Sequence, residues 1–390
     1  MKLTRGFAAL QGYATAQGTA AFRLRNKSIP ASHFRQIGEG MALSSIGLGT
    51  YIGAPDDETD AIVQRAIETC VEAGAINHID TAINYRYQKA ERSVGKALRA
   101  LAAKGYHRNE LWLSSKIGYI PEDADNGLPG STVVQRLINA GKMKAEEVAG
   151  SVHCLHPAFL QDQLSRSLSN LGIATLDLLY LHNPCEGQMP ITGNALFLQR
   201  LAKAFEFCES AKTAGLIRNY GLATWLCFRS PSDEEGVHMP LVTALELAEK
   251  VGGEKHGLKF IQLPVNLMMP EAFVQKWQPS KSGEKELFLN VAADHKVHIV
   301  TSSPLMQGKL VQLALPKKPP GLADPGAQHV QLIRSLPSSV LVTTLVGLKS
   351  AAHVQAVLSL CQVPPLTPDA FWSLLKPESN PQGELAIHLR

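Results

Sequence analysis

Short apolar runs recur along this chain about eight times, separated by longer stretches with one apolar face. The runs cover residues 45–50, 76–80, 111–116, 176–182, 217–223, 260–264, 297–302 and 340–346. Runs of this length predict buried parallel strands. Between the first two, residues 60–71 place Ile62, Ala66 and Cys70 four apart, with Ile67 and Val71 alongside, which predicts an amphipathic helix. Asp56, Asp57 and Glu58 are candidates to cap its start, and Gly74 can end it. Residues 161–171, 196–214 and 241–251 repeat the pattern. Such alternation demands parallel strands joined by crossover helices, and eight units favour closure into a (β/α)8 TIM barrel over an open sheet.

Several segments exceed a minimal barrel. Residues 1–40 form an N-terminal arm, and residues 41–390 read as a single barrel domain. Within it, residues 118–156 form a long insertion after strand three, 226–238 and 265–286 extend later loops, and 361–390 make a Pro-rich C-terminal tail. Long loops at the C-terminal ends of barrel strands are where substrates are selected. Trp277, Phe371 and Trp372 are candidates for apolar walls there, and residues 376–390 are expected to influence substrate preference more than stability.

Composition narrows the class. With 390 residues, 45% hydrophobic and 18% charged, the chain can build a sizeable core. A net charge of +4 without a basic run argues against a nucleic-acid partner, and no apolar stretch approaches membrane-span length. The six cysteines are scattered without a Cys-x-x-Cys pair, as in large reduced proteins. The first 38 residues hold no acid but carry Lys2, Arg5, Arg23, Arg25, Lys27 and Arg35. They read as a basic arm of a cytoplasmic protein, with a plastid or mitochondrial transit segment as the alternative.

Candidate chemistry gathers at the ends of the runs. Asp80 closes the second, Tyr85 follows five residues on, Lys116 closes the third and His182 the fourth. In such a barrel the catalytic groups sit at these ends. A buried Lys116 ammonium needs an anion, and Asp80 is the obvious candidate. The paired Lys116 is then expected to lower the Tyr85 pKa from about 10. A phenol so tuned can give a proton to a carbonyl oxygen as hydride reaches carbon, with His182 donating a hydrogen bond to that oxygen.

These residues carry a family resemblance. Asp80-Thr81-Ala82-Ile83-Asn84-Tyr85 with Glu91 and Gly95 resembles the active-site signature of the aldo-keto reductases, as do Ser115-Lys116, Leu179-Tyr180-Leu181-His182 and Ser303-Pro304-Leu305. The resemblance runs from about residue 45 to about residue 360 in the family's order. It implies a catalytic tetrad of Asp80, Tyr85, Lys116 and His182, with Tyr85 the proton donor. It also implies an extended nicotinamide cofactor, NADPH, with NAD as the alternative. Gln262 matches the nicotinamide contact, and Ser303, Leu305, Gln307, Gly308 and Leu310 the loop around the pyrophosphate. Gly347, Lys349 and Ser350 match the segment at the adenosine 2′-phosphate, and Thr50, Ala223, Thr224, Ser302 and Pro304 complete the cofactor set. Tyr51, Tyr87, Asn183 and Trp225 are candidates to touch a small carbonyl or alcohol substrate.

Three departures stand out. Ala223-Thr224 replaces the usual Ser-Asn, Ser302 a stacking aromatic, and Ala356-Val357 the Glu-Asn pair at adenine. The last two motivate a second reading, a nicotinamide-nucleotide-binding sensor or regulatory protein with little turnover. Gly47, Gly49 and Gly53 miss the dinucleotide-binding glycine pattern by one residue, and read instead as a glycine-rich turn at the barrel mouth. His153-Cys154-Leu155-His156 resembles a metal-site fragment but lacks a fourth ligand nearby, so insertion packing or lining of the substrate cleft is the expectation and no metal is assigned.

Overall fold

The computed structural model describes residues 9–38, 40–231, 236–315 and 317–375. Its eight principal strands are β1 (Ile46–Gly49), β2 (His78–Asp80), β3 (Trp112–Ile117), β4 (Leu176–His182), β5 (Ile217–Ala223), β6 (Leu258–Pro264), β7 (His298–Ser302) and β8 (Leu341–Gly347). They pair in parallel in chain order and close through β8 on β1, forming the (β/α)8 barrel. The crossover helices are α1 (Asp57–Glu72), α2 (Lys89–Ala103), α3 (Pro157–Leu171), α4 (Pro184–Thr213), α5 (Leu241–Gly252), α6 (Phe288–Asp294) and α7 (Pro325–Arg334). The last barrel helix, α8 (Ala351–Cys361), follows β8.

Helix α1 begins as its sequence requires, with the Asp56 carboxylate accepting from the Thr59 amide at 2.8 Å. Its buried stripe is Val63, Ala66, Ile67, Cys70 and Val71, so Val63 rather than Ile62 faces the core. The barrel interior is a packed layer and not a pore. Trp112, Leu178, Tyr180, Phe260, Val300, Val342 and Leu345 fill it from five strands. Gly47 and Gly49 lie within β1 itself, and only Gly53, at φ +123°, belongs to the loop after it. A Cβ on Gly47 would stand 2.8 Å from Leu345, so the glycine makes room for the interior layer.

The described part of the arm, from residue 9 on, is folded onto the N-terminal end of the barrel. Helix Ala16–Arg23 buries Phe22 fully, and the hairpin Phe34–Ile37/Met41–Ser44 adds Ile37 and Leu43 to the interior layer. The Asp177 carboxylate accepts from the amides of Ala14 (2.7 Å) and Leu113 (2.8 Å) and from Arg108 (2.6 Å). Arg334, fully buried at the end of α7, donates to Gln331, His33, Ser45 and the carbonyls of Leu360 and Val363.

The insertion after β3 contains helix Ser131–Asn139 and a short hairpin, Val148–Ala149 with His153–Cys154. The loop after β6 carries a second, Lys276–Pro279 with Lys285–Leu287, in which Trp277 is half-buried. Helix Pro368–Leu375 ends the described chain, and residues 376–390 lie outside it. Phe371 is fully buried in the main core, which corrects its assignment to a cleft wall, while Trp372 packs at its edge. All six cysteines are buried and free. No helix among the described residues is long and apolar enough to cross a membrane.

Candidate active site

The strand ends bring the four polar residues together. Asp80 ends β2, Lys116 is the penultimate residue of β3 and His182 ends β4. Parallel pairing of adjacent strands sets them side by side on one rim. Lys116 Nζ is ion-paired with Asp80 and donates to the Thr81 carbonyl at 2.9 Å. The other Asp80 oxygen accepts from Ser114 Oγ (2.7 Å) and Gln262 Nε2 (3.0 Å). Both members of the pair are almost wholly buried, so removing either leaves an uncompensated charge, at a cost of about 3–5 kcal/mol.

Tyr85 sits at the turn after β2. Lys116 Nζ lies 4.7 Å from its ring centroid, and its ring meets those of His182 (5.7 Å) and Tyr51 (5.0 Å) edge to face. Three consecutive residues beyond it, Arg86, Tyr87 and Gln88, adopt left-handed φ of 47°, 54° and 73°. Such backbone needs external support in residues that are not glycine. Arg86 supplies it through Asp60 (2.6 Å) and Ser93 (3.1 Å), and Gln88 through the Glu122 carbonyl (3.0 Å).

Burial holds the Tyr85 phenol above its ordinary pKa. Lys116 opposes that shift and Asp80 reinforces it. The expected lowering by Lys116 is therefore outweighed, because the same burial that strengthens the ammonium's effect also penalises a phenolate. Burial pulls the Lys116 ammonium down, but Asp80 and Tyr85 more than offset it and leave its pKa raised. His182 is held well below the usual range by burial, then by Lys116 and His153. At neutral pH the site therefore presents a protonated phenol, an ammonium and a neutral imidazole.

The other candidates are distributed around the same rim. Thr50, after β1, donates through Oγ1 to the Asp80 carbonyl at 3.2 Å. Ala223 ends β5 within the interior layer, and the Thr224 amide donates to the Gln262 carbonyl at 2.8 Å. Ser302 ends β7, and Ser303 turns with φ 52° into Pro304 and Leu305. The Leu305 carbonyl accepts from the amides of Gly308 and Leu310, so the loop folds back on itself with Gln307 exposed and Leu310 buried. Gly347 ends β8 opposite Gly49, Lys349 is exposed, and Ser350 caps α8 by accepting from the His353 amide at 3.3 Å. Tyr51, Tyr87 and Trp225 are exposed at the rim, while Asn183 takes a left-handed turn directly after His182. No contact ties Lys349 or Ser350 to the tetrad, which lies across β1 from them.

Sequence reasoning gave no role to several residues around the site. Asn84 Oδ1 lies 3.2 Å from His182 Nδ1, and the Tyr119 ring stands edge to face with His182 at 5.0 Å. Glu186 Oε1 accepts from the amides of Trp225, Leu226 and Cys227 at 2.7–3.0 Å, which fixes the loop after β5. Buried Glu91 bonds Ser115 and Asn170, and a Cβ on Gly95 would collide with the Asn170 carbonyl. These two signature residues thus hold α2 against α3. His153, Cys154 and His156 diverge: His153 donates to the His182 carbonyl (2.8 Å), Cys154 Sγ accepts from the His156 amide, and His156 caps α3. No cluster of three or more potential metal ligands occurs among the described residues.

Comparison with known proteins places this geometry in context. A family model described as the Aldo/keto reductase family matches residues 45–331. Prostaglandin F synthase 1 of Bos taurus is 24% identical over 205 residues, which is 50% of this chain and 51% of that protein. NADH-specific methylglyoxal reductase of Escherichia coli (strain K12) is 28% identical over 187 residues, 47% of this chain and 49% of that protein. The chain thus matches about half the length of these curated relatives. The solved structure of an aldo/keto reductase from Klebsiella pneumoniae, in complex with NADP and acetate, superposes with a TM-score of 0.57 at 17% identity. The match covers 92% of this chain and 99% of that one, and it speaks for the fold.

Proposed function

Because the chain belongs to the aldo/keto reductase family, we propose that it reduces an aldehyde or ketone with NADPH, and oxidises the corresponding alcohol in reverse. The observation that carries this reading is the Asp80–Lys116 pair buried beside a protonated Tyr85 and a neutral His182.

The residues present suit a nicotinamide nucleotide. Thr224 Oγ1 is buried at the end of β5 with no hydrogen-bond partner, beside Gln262 on the neighbouring strand. A buried hydroxyl left open in this way is ready for a ligand's polar group, here the carboxamide. Exposed Lys349 and the capping Ser350 at the start of α8 suit the additional phosphate of NADP. The NADP named with the Klebsiella pneumoniae structure is consistent with that choice. When bound, the cofactor supplies the hydride.

This chain's own residues supply the proton and the fit. Tyr85 holds its proton at neutral pH and gives it to the carbonyl oxygen. Lys116, kept charged by Asp80, stabilises the phenolate that this transfer leaves. His182 meets the same oxygen and orients the substrate. Tyr51, Tyr87 and Trp225, each exposed on a different loop, give the mouth an apolar border suited to an organic carbonyl. A cytoplasmic location suits a chain whose six cysteines are all free.

The test is NADPH oxidation with an activated aromatic aldehyde, comparing wild type with Tyr85→Phe. A rate that collapses in the variant while nucleotide still binds supports the reading. Nucleotide binding without turnover in either protein would favour the sensor reading instead.

A further inference from the structure

One buried titratable group beside the tetrad has no part in the chemistry above. His153, in the insertion's hairpin, is fully buried, and its Nε2 lies 2.8 Å from the His182 carbonyl. A carbonyl only accepts, so Nε2 carries the proton. Its Nδ1 is 3.0 Å from Gln188 Nε2, which donates to it, and Gln188 Oε1 accepts from Arg200 at 2.8 Å. Arg200 also donates to the Glu146 carbonyl at 2.6 Å, closing the line back onto the insertion. Each link fixes the orientation of the next, so the neutral Nε2–H tautomer is determined by its surroundings.

The slot for this ring is shaped by two glycines. A Cβ on Gly187 would stand 2.6 Å from ring atoms of His153, and one on Gly118, at φ +129°, would stand 2.9 Å from its Nε2. Tyr119 completes the arrangement. Its ring meets His153 edge to face at 5.1 Å and His182 at 5.0 Å, and its hydroxyl accepts from Asn183 Nδ2 at 3.2 Å. The insertion thus grips His182 through its carbonyl, its ring and the residue after it. Burial keeps His153 neutral, with its pKa lowered to about 4, so the grip persists at working pH.

We propose that His153, set by Gln188 and Arg200, is a positioning residue for His182, so that the insertion after β3 is part of the catalytic apparatus. The proposal rests on the reading of His182 as a group that meets the substrate oxygen. Misplacing such a group by about 1 Å costs on the order of 10²-fold in rate. A phenylalanine at position 153 fills the slot but offers neither donor nor acceptor, whereas glutamine offers both.

The experiment measures kcat and the NADPH Kd of His153→Phe, His153→Gln and Gly187→Ala. Alongside, NMR of the ring nitrogens of His182 is recorded in each variant and in wild type. The expected result is a kcat about 10²-fold lower in His153→Phe, an unchanged nucleotide Kd, recovery in His153→Gln, and displaced His182 ring signals in His153→Phe. Gly187→Ala retains both histidines and should displace the same signals by pushing the His153 ring. Unchanged His182 signals in folded His153→Phe and Gly187→Ala overturn the proposal, whatever the turnover. A wild-type chain with no turnover counts against the reductase reading instead, and the His182 signals still decide the positioning role.

Discussion

Two buried cations, Arg334 toward the N-terminal end of this barrel and Lys116 at its C-terminal end, are satisfied in opposite ways. At the N-terminal end, Arg334 donates only to neutral acceptors: Gln331 Oε1, His33 Nδ1, Ser45 Oγ and the Leu360 and Val363 carbonyls. Arg35 lies beside it and donates to the carbonyls of Leu341 and Arg334. The planar Arg334 guanidinium meets carbonyls at the C-terminal end of α8, and that of Arg35 meets the last carbonyl of α7, so each is held in place and gains from one helix dipole. At the C-terminal end, the compact Lys116 ammonium meets a carboxylate beside a titratable phenol. Neutral acceptors cannot exchange a proton with arginine at any ordinary pH. The first arrangement is therefore a clamp, and the second sets a fixed positive charge beside a group that can titrate.

The strongest way to break this contrast is Lys116→Met. It strands Asp80, and should cost about 3–5 kcal/mol of stability together with a loss of turnover of about 10²-fold or more. Urea denaturation and kcat with saturating NADPH measure the two effects. Retained turnover would mean that Lys116 only holds the fold.

Arg334→Met is the matching change at the other end. It leaves several buried acceptors unpaired, each worth about 1–3 kcal/mol, so the urea midpoint should fall markedly. The kcat of the protein that remains folded should match wild type. A folded variant with a much lower kcat would show that the clamp also acts on the catalytic end.

The contrast also explains what could be read in advance. The strands were legible because each is buried on both faces and reads as an apolar run; residues 176–182 and 217–223 coincide with β4 and β5. The tetrad was legible because every member sits at or just beyond the end of such a run. The first turns of α4 were not, since Pro190 and the break at Gly193 (φ 72°) disrupt its periodicity. The Tyr85 shift was misjudged because sequence shows which charges are near in the chain but not how far water is excluded. His153 stood out as a motif, yet its partner lies 29 residues on, at the far end of α3 and β4, and only the fold joins them.

Acid should sharpen the comparison next. Burial holds His33, at the clamp, down to about 3, and burial likewise lowers His78 and His153, nearer the catalytic end, to about 4. Unfolded histidine binds a proton near pH 6.5, so between there and about pH 4 the unfolded chain holds more protons than the folded one. Stability is then full above about 6.5 and declines as pH falls, by about 1.4 kcal/mol per pH unit for each such histidine. Urea midpoints from pH 7 to pH 5 should show the fall. His33→Gln should make it shallower while the pH profile of turnover stays unchanged; an equally steep fall would mean that His33 is already protonated in the fold.

The smallest expected effect separates the two ends of a single helix. Helix α8 starts at Ser350 on the catalytic rim and ends near Leu360, whose carbonyl is already taken by Arg334. Its final carbonyls are used by the fold, whereas Lys349 at its start is exposed and can meet a ligand phosphate. Lys349→Ala should therefore leave the thermal midpoint unchanged and weaken NADPH by roughly tenfold, the scale of one charge-assisted bond. NADH, which lacks the 2′-phosphate, should bind as before. Equal weakening of both nucleotides would place Lys349 at the pyrophosphate rather than at the ribose, and would remove the reason for preferring NADP here. Fluorescence titration of both cofactors against wild type and variant distinguishes these outcomes.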